Sequence, residues 1–144
     1  MFSKACEYAI RASIFIAEQS LLDKKVSLKD IAKAIDSPEA YTSKILQQLS
    51  RNNVIQSDKG PTGGFSMNKQ ELDKVRLSTV VTAIDGDAIY NSCGLGLKNC
   101  NEEMPCPAHN QFKIVREELK IMLEETFVKS LTPDFKDGLT FLRR

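Results

Sequence analysis

Three of the chain's four cysteines, Cys93, Cys100 and Cys106, and its only histidine, His109, fall within the stretch CGLGLKNCNEEMPCPAH. Thiolate and imidazole are soft donors, so gathering them in one loop points to metal or redox chemistry. The spacing is Cys93-x6-Cys100-x5-Cys106, with two residues more before His109. Zinc sites usually draw their ligands in close C-x2–4-C pairs, and this chain has none. Ligands spread along a loop suit a bulkier object such as an iron–sulfur cluster, which takes thiolate with an occasional imidazole or carboxylate. Gly94, Gly96, Asn99 and Asn101 let the backbone curl around it. His109 is then the nearest candidate for a fourth ligand. Ordinary reduced thiols, a zinc-stabilised interaction module with His109 as a ligand, a cluster-free thiol–disulfide switch, and a redox protein whose cluster only transfers electrons stay open as other readings. No Ser/His/Asp constellation, phosphate loop or dinucleotide fingerprint is legible, so the chain reads as a non-enzyme without a small-molecule substrate.

The elements that must position this loop follow from periodicity. Ala5, Tyr8, Ala12, Phe15 and Ile16 recur at helical steps and predict an amphipathic helix over about 3–18. In VSLKDIAKAIDSPEAYTSKILQQLSRNNVI, Ser27 can cap a short helix with Asp30 three residues on. Pro38 breaks that helix and suits the first turn of the next, which runs to about Asn52. Two short helices joined by a polar turn form a helix-turn-helix. Val54–Ser57 then reads as a strand, the Gly- and Pro-rich stretch 58–64 as a turn, and Phe65–Met67 as the returning strand. That hairpin is the wing of a winged-helix domain. RLSTVVTAIDG predicts a further helix, capped by Ser78 and stopped at Gly86.

The most strongly patterned helix is expected over 107–130. Phe112, Val115, Leu119, Met122 and Thr126 form one row, and Ile114, Ile121 and Val128 a second. This apolar face is wider than one small domain needs, so a second subunit is expected to cover it. The helix begins beside the cysteine loop, where its N-terminus would favour thiolates.

The fold class is therefore mainly α with a small β-hairpin wing. Residues 1–76 form a winged helix-turn-helix DNA-binding domain. Residues 77–144 carry the cluster-binding loop (91–109) and the dimerisation helix (107–130). The first part holds 12 Lys+Arg against 9 Asp+Glu and the second 8 against 10, which permits an anion-binding front half. Recognition-helix residues Tyr41, Thr42, Ser43, Lys44 and Gln47 are candidate base and phosphate contacts, with Glu39 and Gln48 exposed beside them. Lys29, Lys33 and Arg51 can hold flanking phosphates, and Lys59 can enter the minor groove from the wing tip. Gly60, Thr62, Gly63 and Gly64 offer a close-approaching backbone. Against this, a polar turn between helices is common in small helical domains, and Tyr41 can instead pack against the wing. Cys6, within the first helix, reads as a small packing residue. No apolar run nears the ~20 residues that span a bilayer, and Lys4, Glu7 and Arg11 interrupt any signal-peptide core, so a cytoplasmic protein is expected.

YTSKILQQLSRNNVIQSDKGPTGGF, with its GPxGG[FY] wing at Gly60–Phe65, and the three-cysteine loop before a long helix together resemble the winged-helix iron–sulfur transcription regulators of the IscR/NsrR kind. The resemblance runs from Phe2 to about Val128. It implies a homodimer on a roughly palindromic double-stranded operator, probed by paired wings and recognition helices. It also implies a repressor that senses redox state, nitric oxide or cluster supply. The implied cluster, 2Fe–2S or 4Fe–4S and readily lost in air, is ligated by Cys93, Cys100 and Cys106. The fourth ligand is His109 on the pattern of the cluster regulators, or Glu7 of the partner chain on that of the nitric-oxide sensors. The chain departs from the pattern in its six-residue first cysteine gap, in Lys59 where many members have Arg, and in Ser43 where the cluster regulators are acidic. Members that regulate cysteine metabolism lack the three cysteines, which makes this chain a poor match to them.

Overall fold

The computed structural model describes residues 1–133 and 137–144. It is mainly helical, with a two-stranded antiparallel hairpin, as the periodicity predicts. Helix α1 (Lys4–Leu21) is capped by Ser3, whose Oγ accepts from the Cys6 N–H at 3.1 Å. Its small buried residues Ala9, Ala12 and Ala17 allow close approach, so it forms the hub against which α2, α3 and α4 pack. Helix α2 (Leu28–Ile35) starts on the Ser27 cap, whose Oγ accepts from the Asp30 N–H at 3.1 Å, and ends in left-handed Asp36. Arg11 of α1 donates to the Ile35 carbonyl at 2.8 Å, satisfying one of the orphan acceptors at that helix end.

Helix α3 (Glu39–Arg51) drives Ile45, Leu46 and Leu49 into the core. Strands β1 (Gln56–Asp58) and β2 (Gly64–Ser66) pair with Ser57 opposite Phe65, and Val26 adds a bridge on the far side of Phe65. Val54 and Ile55, expected in the first strand, are instead buried core residues leading into it. Their side chains are worth more under α3 than on an exposed two-stranded ribbon.

Helix α4 (Leu77–Asp85) stops at Gly86 with a positive φ of 68°, as expected. Its predicted cap is corrected: Ser78 lies inside the helix, and Arg76 occupies the cap position without a side-chain bond. The backbone there is instead tied tertiarily, with Leu77 N–H donating to the Thr126 carbonyl and Val128 N–H to the Val75 carbonyl, both at 2.9 Å. That same pairing ends the C-terminal helix early. A short α5 (Ala88–Asn91), not foreseen, leads into the cysteine loop, and α6 spans His109–Glu125 rather than 107–130. Thr126 is extended and Phe127 bridges Arg76, so the β-favouring run Thr-Phe-Val leaves the helix to form that short ladder.

Cys6 is fully buried, as a packing residue should be. Burial first, and the neighbouring Asp85 carboxylate second, push its thiol up to about 12. The fold favours the protonated form, so its stabilising contribution is complete below 9.0 and is lost as pH climbs towards about 12. At pH 8 its thiolate fraction is roughly one in ten thousand. Brief iodoacetamide treatment of the apo protein at pH 8 should therefore label Cys100 and Cys106 and spare Cys6 until denaturant is added. Mass spectrometry reads the sites, and equal labelling of Cys6 would contradict its burial.

Candidate nucleic-acid interface and cysteine loop

Helices α2 and α3 meet at the Ser37-Pro38 turn. Thr42, expected among the exposed residues offered to DNA, is fully buried there. Its hydroxyl donates to the Pro38 carbonyl at 2.9 Å and pairs with the Ser37 hydroxyl at 2.9 Å. Thr42 thus fastens the turn that aims α3 and cannot reach a base edge. Tyr41 does not lean on the wing either. It meets Tyr8 of α1 edge-to-face at 5.7 Å, and the Arg11 guanidinium covers the other ring at 4.5 Å. Glu39, Lys44, Gln47 and Gln48 are exposed on α3, and Ser43 is half-buried.

Lys29 and Lys33 on α2, Arg51 at the end of α3, and Lys59, Gly60 and Thr62 on the wing are all exposed. Among the described residues, Lys29, Lys33, Lys44, Arg51 and Lys59 enter no ion pair, leaving their charge uncompensated by protein carboxylates. Gly63 and Gly64 are half-buried at the wing's base, where their backbone touches β1 and Val26.

The cysteine loop lies along one face of α6. His109 opens that helix, buried, with Nδ1 3.5 Å from the Cys100 sulfur. One turn on, the Phe112 ring presses on Gly94 so closely that an added Cβ would sit 2.4 Å from it. Lys113 pairs with Glu102 at 2.7 Å, and Arg116, two turns from His109, reaches both the Cys100 sulfur and the Ser92 carbonyl at 3.3 Å. Cys93 is buried at the start of the loop. The backbone N–H groups of Leu95 and then Leu97 hold its thiol below the ordinary range, helped by the Cys106 side chain and the Arg116 charge.

Of the four predicted donors, the structure brings Cys100 and His109 into contact, while the Cys106 side chain bears on the Cys93 thiol. Among the described residues, no three Cys, His, Asp or Glu side chains converge where a single ion would sit. Glu7 stands elsewhere, on the first turn of α1, its carboxylate held low by the Lys4 ammonium at 2.9 Å. A cleft of about 380 Å³ opens beside Cys100 and His109, lined also by Tyr90, Glu102, Lys113 and Arg116. Sequence reasoning missed Arg116. Its signal was its position seven residues after His109, on the same helix face.

A winged helix-turn-helix joined to a cysteine loop can be compared with known families on its whole length. The family model Rrf2, an iron-dependent transcriptional regulator, matches residues 2–134. The chain belongs to the Rrf2 family. Rrf2 proteins are transcriptional regulators, not enzymes, and the chain is a DNA-binding regulator of that class. A provisionally named HTH-type transcriptional regulator of Aquifex aeolicus (strain VF5) is 31% identical over 134 residues, covering 91% of this chain and 90% of that protein. The HTH-type transcriptional regulator IscR of Yersinia pseudotuberculosis (serotype O:1b, strain IP 31758) is 25% identical over 124 residues, 86% of this chain and 74% of that protein. Among solved structures, CymR, the global cysteine regulator of B. subtilis, superposes with a TM-score of 0.74 at 19% identity, covering 92% of this chain and 95% of that one. At that identity the likeness to CymR is one of Rrf2 fold. No described helix is long and apolar enough to cross a membrane.

Proposed function

We propose that this Rrf2 regulator is a homodimeric cytoplasmic repressor whose operator affinity is set by an iron–sulfur cluster held by Cys93, Cys100, Cys106 and His109. The observation that carries the reading is the packing of the cysteine loop along one face of α6, through His109, Phe112, Lys113 and Arg116, while the opposite face exposes Ile114, Val115, Ile121 and Met122. One helix thus joins the donor loop to an apolar surface suited to a second copy.

The donor set fits a cluster. Three thiols and an imidazole spread along one loop, no three of them converged on a point among the described residues, match an object several ångströms across better than one tetrahedral ion. The His109 imidazole beside Cys100 supports it as the fourth ligand. When bound, the cluster would supply a redox- and ligand-reactive centre. The protein's own part is to hold the loop 91–109 in one arrangement with it and another without it. Any change there bears directly on His109, Phe112 and Arg116, and so on the set of α6. In a dimer, a shift of α6 alters the separation of the two α3 helices and hence the fit to two half-sites. Lys29, Ser43, Lys44, Gln47, Lys59, Gly60 and Thr62 are the contacts proposed for DNA, with Tyr41 acting through Tyr8.

Anaerobic purification with absorbance, iron and sulfide analysis tests this on wild type, His109→Ala and Glu7→Ala. The expected result is a brown wild type, cluster loss at least tenfold faster in His109→Ala, and an unchanged Glu7→Ala. Selective loss in Glu7→Ala would transfer the fourth position to the partner chain. A colourless zinc protein would overturn the cluster. One observation favours a cluster-free thiol switch: the Cys93 thiol is held below the ordinary range by backbone N–H groups, with the Cys106 side chain also favouring its thiolate. An iron-free protein that forms a reversible Cys93–Cys106 disulfide and changes DNA affinity with it would establish that reading instead.

A further inference from the structure

Arg116 has no part in the ligand set, yet its side chain makes two connections to the loop. Its two terminal nitrogens divide between the Ser92 carbonyl, one residue before Cys93, and the Cys100 sulfur, each at 3.3 Å. A single guanidinium therefore spans the beginning and the middle of the loop from a rigid helix. The side chain is half-buried, and its charge also bears on Cys93. The planar fork suits this double attachment in a way a lysine ammonium does not. The surrounding contacts make the placement firm: His109 and Phe112 hold the loop on the preceding turns, and Lys113 ties Glu102 alongside.

We propose that Arg116 is the positioning residue that fastens the cysteine loop to α6 and donates to the Cys100 sulfur of the bound cluster, raising its reduction potential. The inference rests on the cluster reading above. Its physical basis is that hydrogen bonds to ligand sulfurs and local net charge set cluster potentials. Reduction adds negative charge, and a fixed cation donating to a ligand sulfur stabilises the reduced form. Arg116 also gives a charge change at the cluster a direct mechanical handle on α6, because the group that feels the sulfur is anchored in that helix.

The test compares wild type, Arg116→Lys and Arg116→Gln. In the anaerobically prepared holoprotein, a mediated titration with dithionite reads the midpoint potential. The expected order is wild type highest, Arg116→Lys intermediate and Arg116→Gln lowest. In the apo protein, amide hydrogen exchange over residues 91–102 should quicken several-fold in both variants, because neither substitute spans Ser92 and Cys100 together. Iron-loaded Arg116→Gln with the wild-type potential would overturn the tuning role. Unchanged exchange in both variants would overturn the fastening role. A wild type that holds no iron would instead bring down the cluster reading, and iron analysis separates that case from the other two.

Discussion

Ile114→Glu combined with Ile121→Glu should convert the protein to a monomer while leaving each chain folded. Operator affinity should fall by about a hundredfold or more, because two half-sites bound through one dimer gain avidity of that order. In the single chain Ile114 is 62% exposed, Val115 60%, Ile121 48% and Met122 45%, all on the face of α6 turned away from the cysteine loop. Substituting exposed residues costs a folded chain little, so a change in thermal stability of the monomer is not the expected signal. Four large aliphatic side chains left in water on one helix mark an interaction surface. Two carboxylates placed in such a seam by each subunit would have to be desolvated without partners. Sedimentation equilibrium reads the association state, and fluorescence anisotropy with an operator duplex reads affinity. A variant that remains a dimer would place the subunit interface elsewhere.

Gly63→Ala should cripple DNA binding through the wing while sparing the core. A Cβ at Gly63 would stand 2.2 Å from the Asp58 carbonyl oxygen and 2.8 Å from two backbone carbons of β1 and the turn. Backbone atoms of the paired strand cannot rotate aside, so the hairpin must open. Gly64 is hemmed in similarly, with φ +138° and the Val26 carbonyl 2.9 Å from a built Cβ. Overpacking of this kind costs about 1–3 kcal/mol locally. Strand β1 and the wing turn are exposed and β2 meets the core mainly through Phe65, so the melting temperature should drop by only a few degrees. Affinity for DNA should fall about ten- to a hundredfold, since each tenfold step is about 1.4 kcal/mol. Equal affinity of Gly63→Ala and wild type would remove the wing from the interface.

The sequence by itself determined the features set by neighbours along the chain. Ser27 caps α2 because its hydroxyl reaches an N–H three residues on, and Gly86 ends α4 because a residue without Cβ accepts positive φ. The two helices, the Gly-rich wing and the crowding of cysteines before α6 are local patterns of the same kind. Only the tertiary structure decided what side chains from distant elements do to one another. Thr42 has the polarity of a DNA contact, but the Ser37-Pro38 turn folds over it and buries it. Ser78 has the type of a cap, but the Thr126–Val128 ladder fixes the start of α4 and also cuts α6 short. Arg116 gives no motif at all, and its meaning lies in two acceptors that are 16 and 24 residues away in sequence. Caps and periodicity act over three or four residues and can be read from a string of letters. Burial, backbone ladders between distant segments, and a guanidinium shared by two parts of a loop depend on packing in three dimensions.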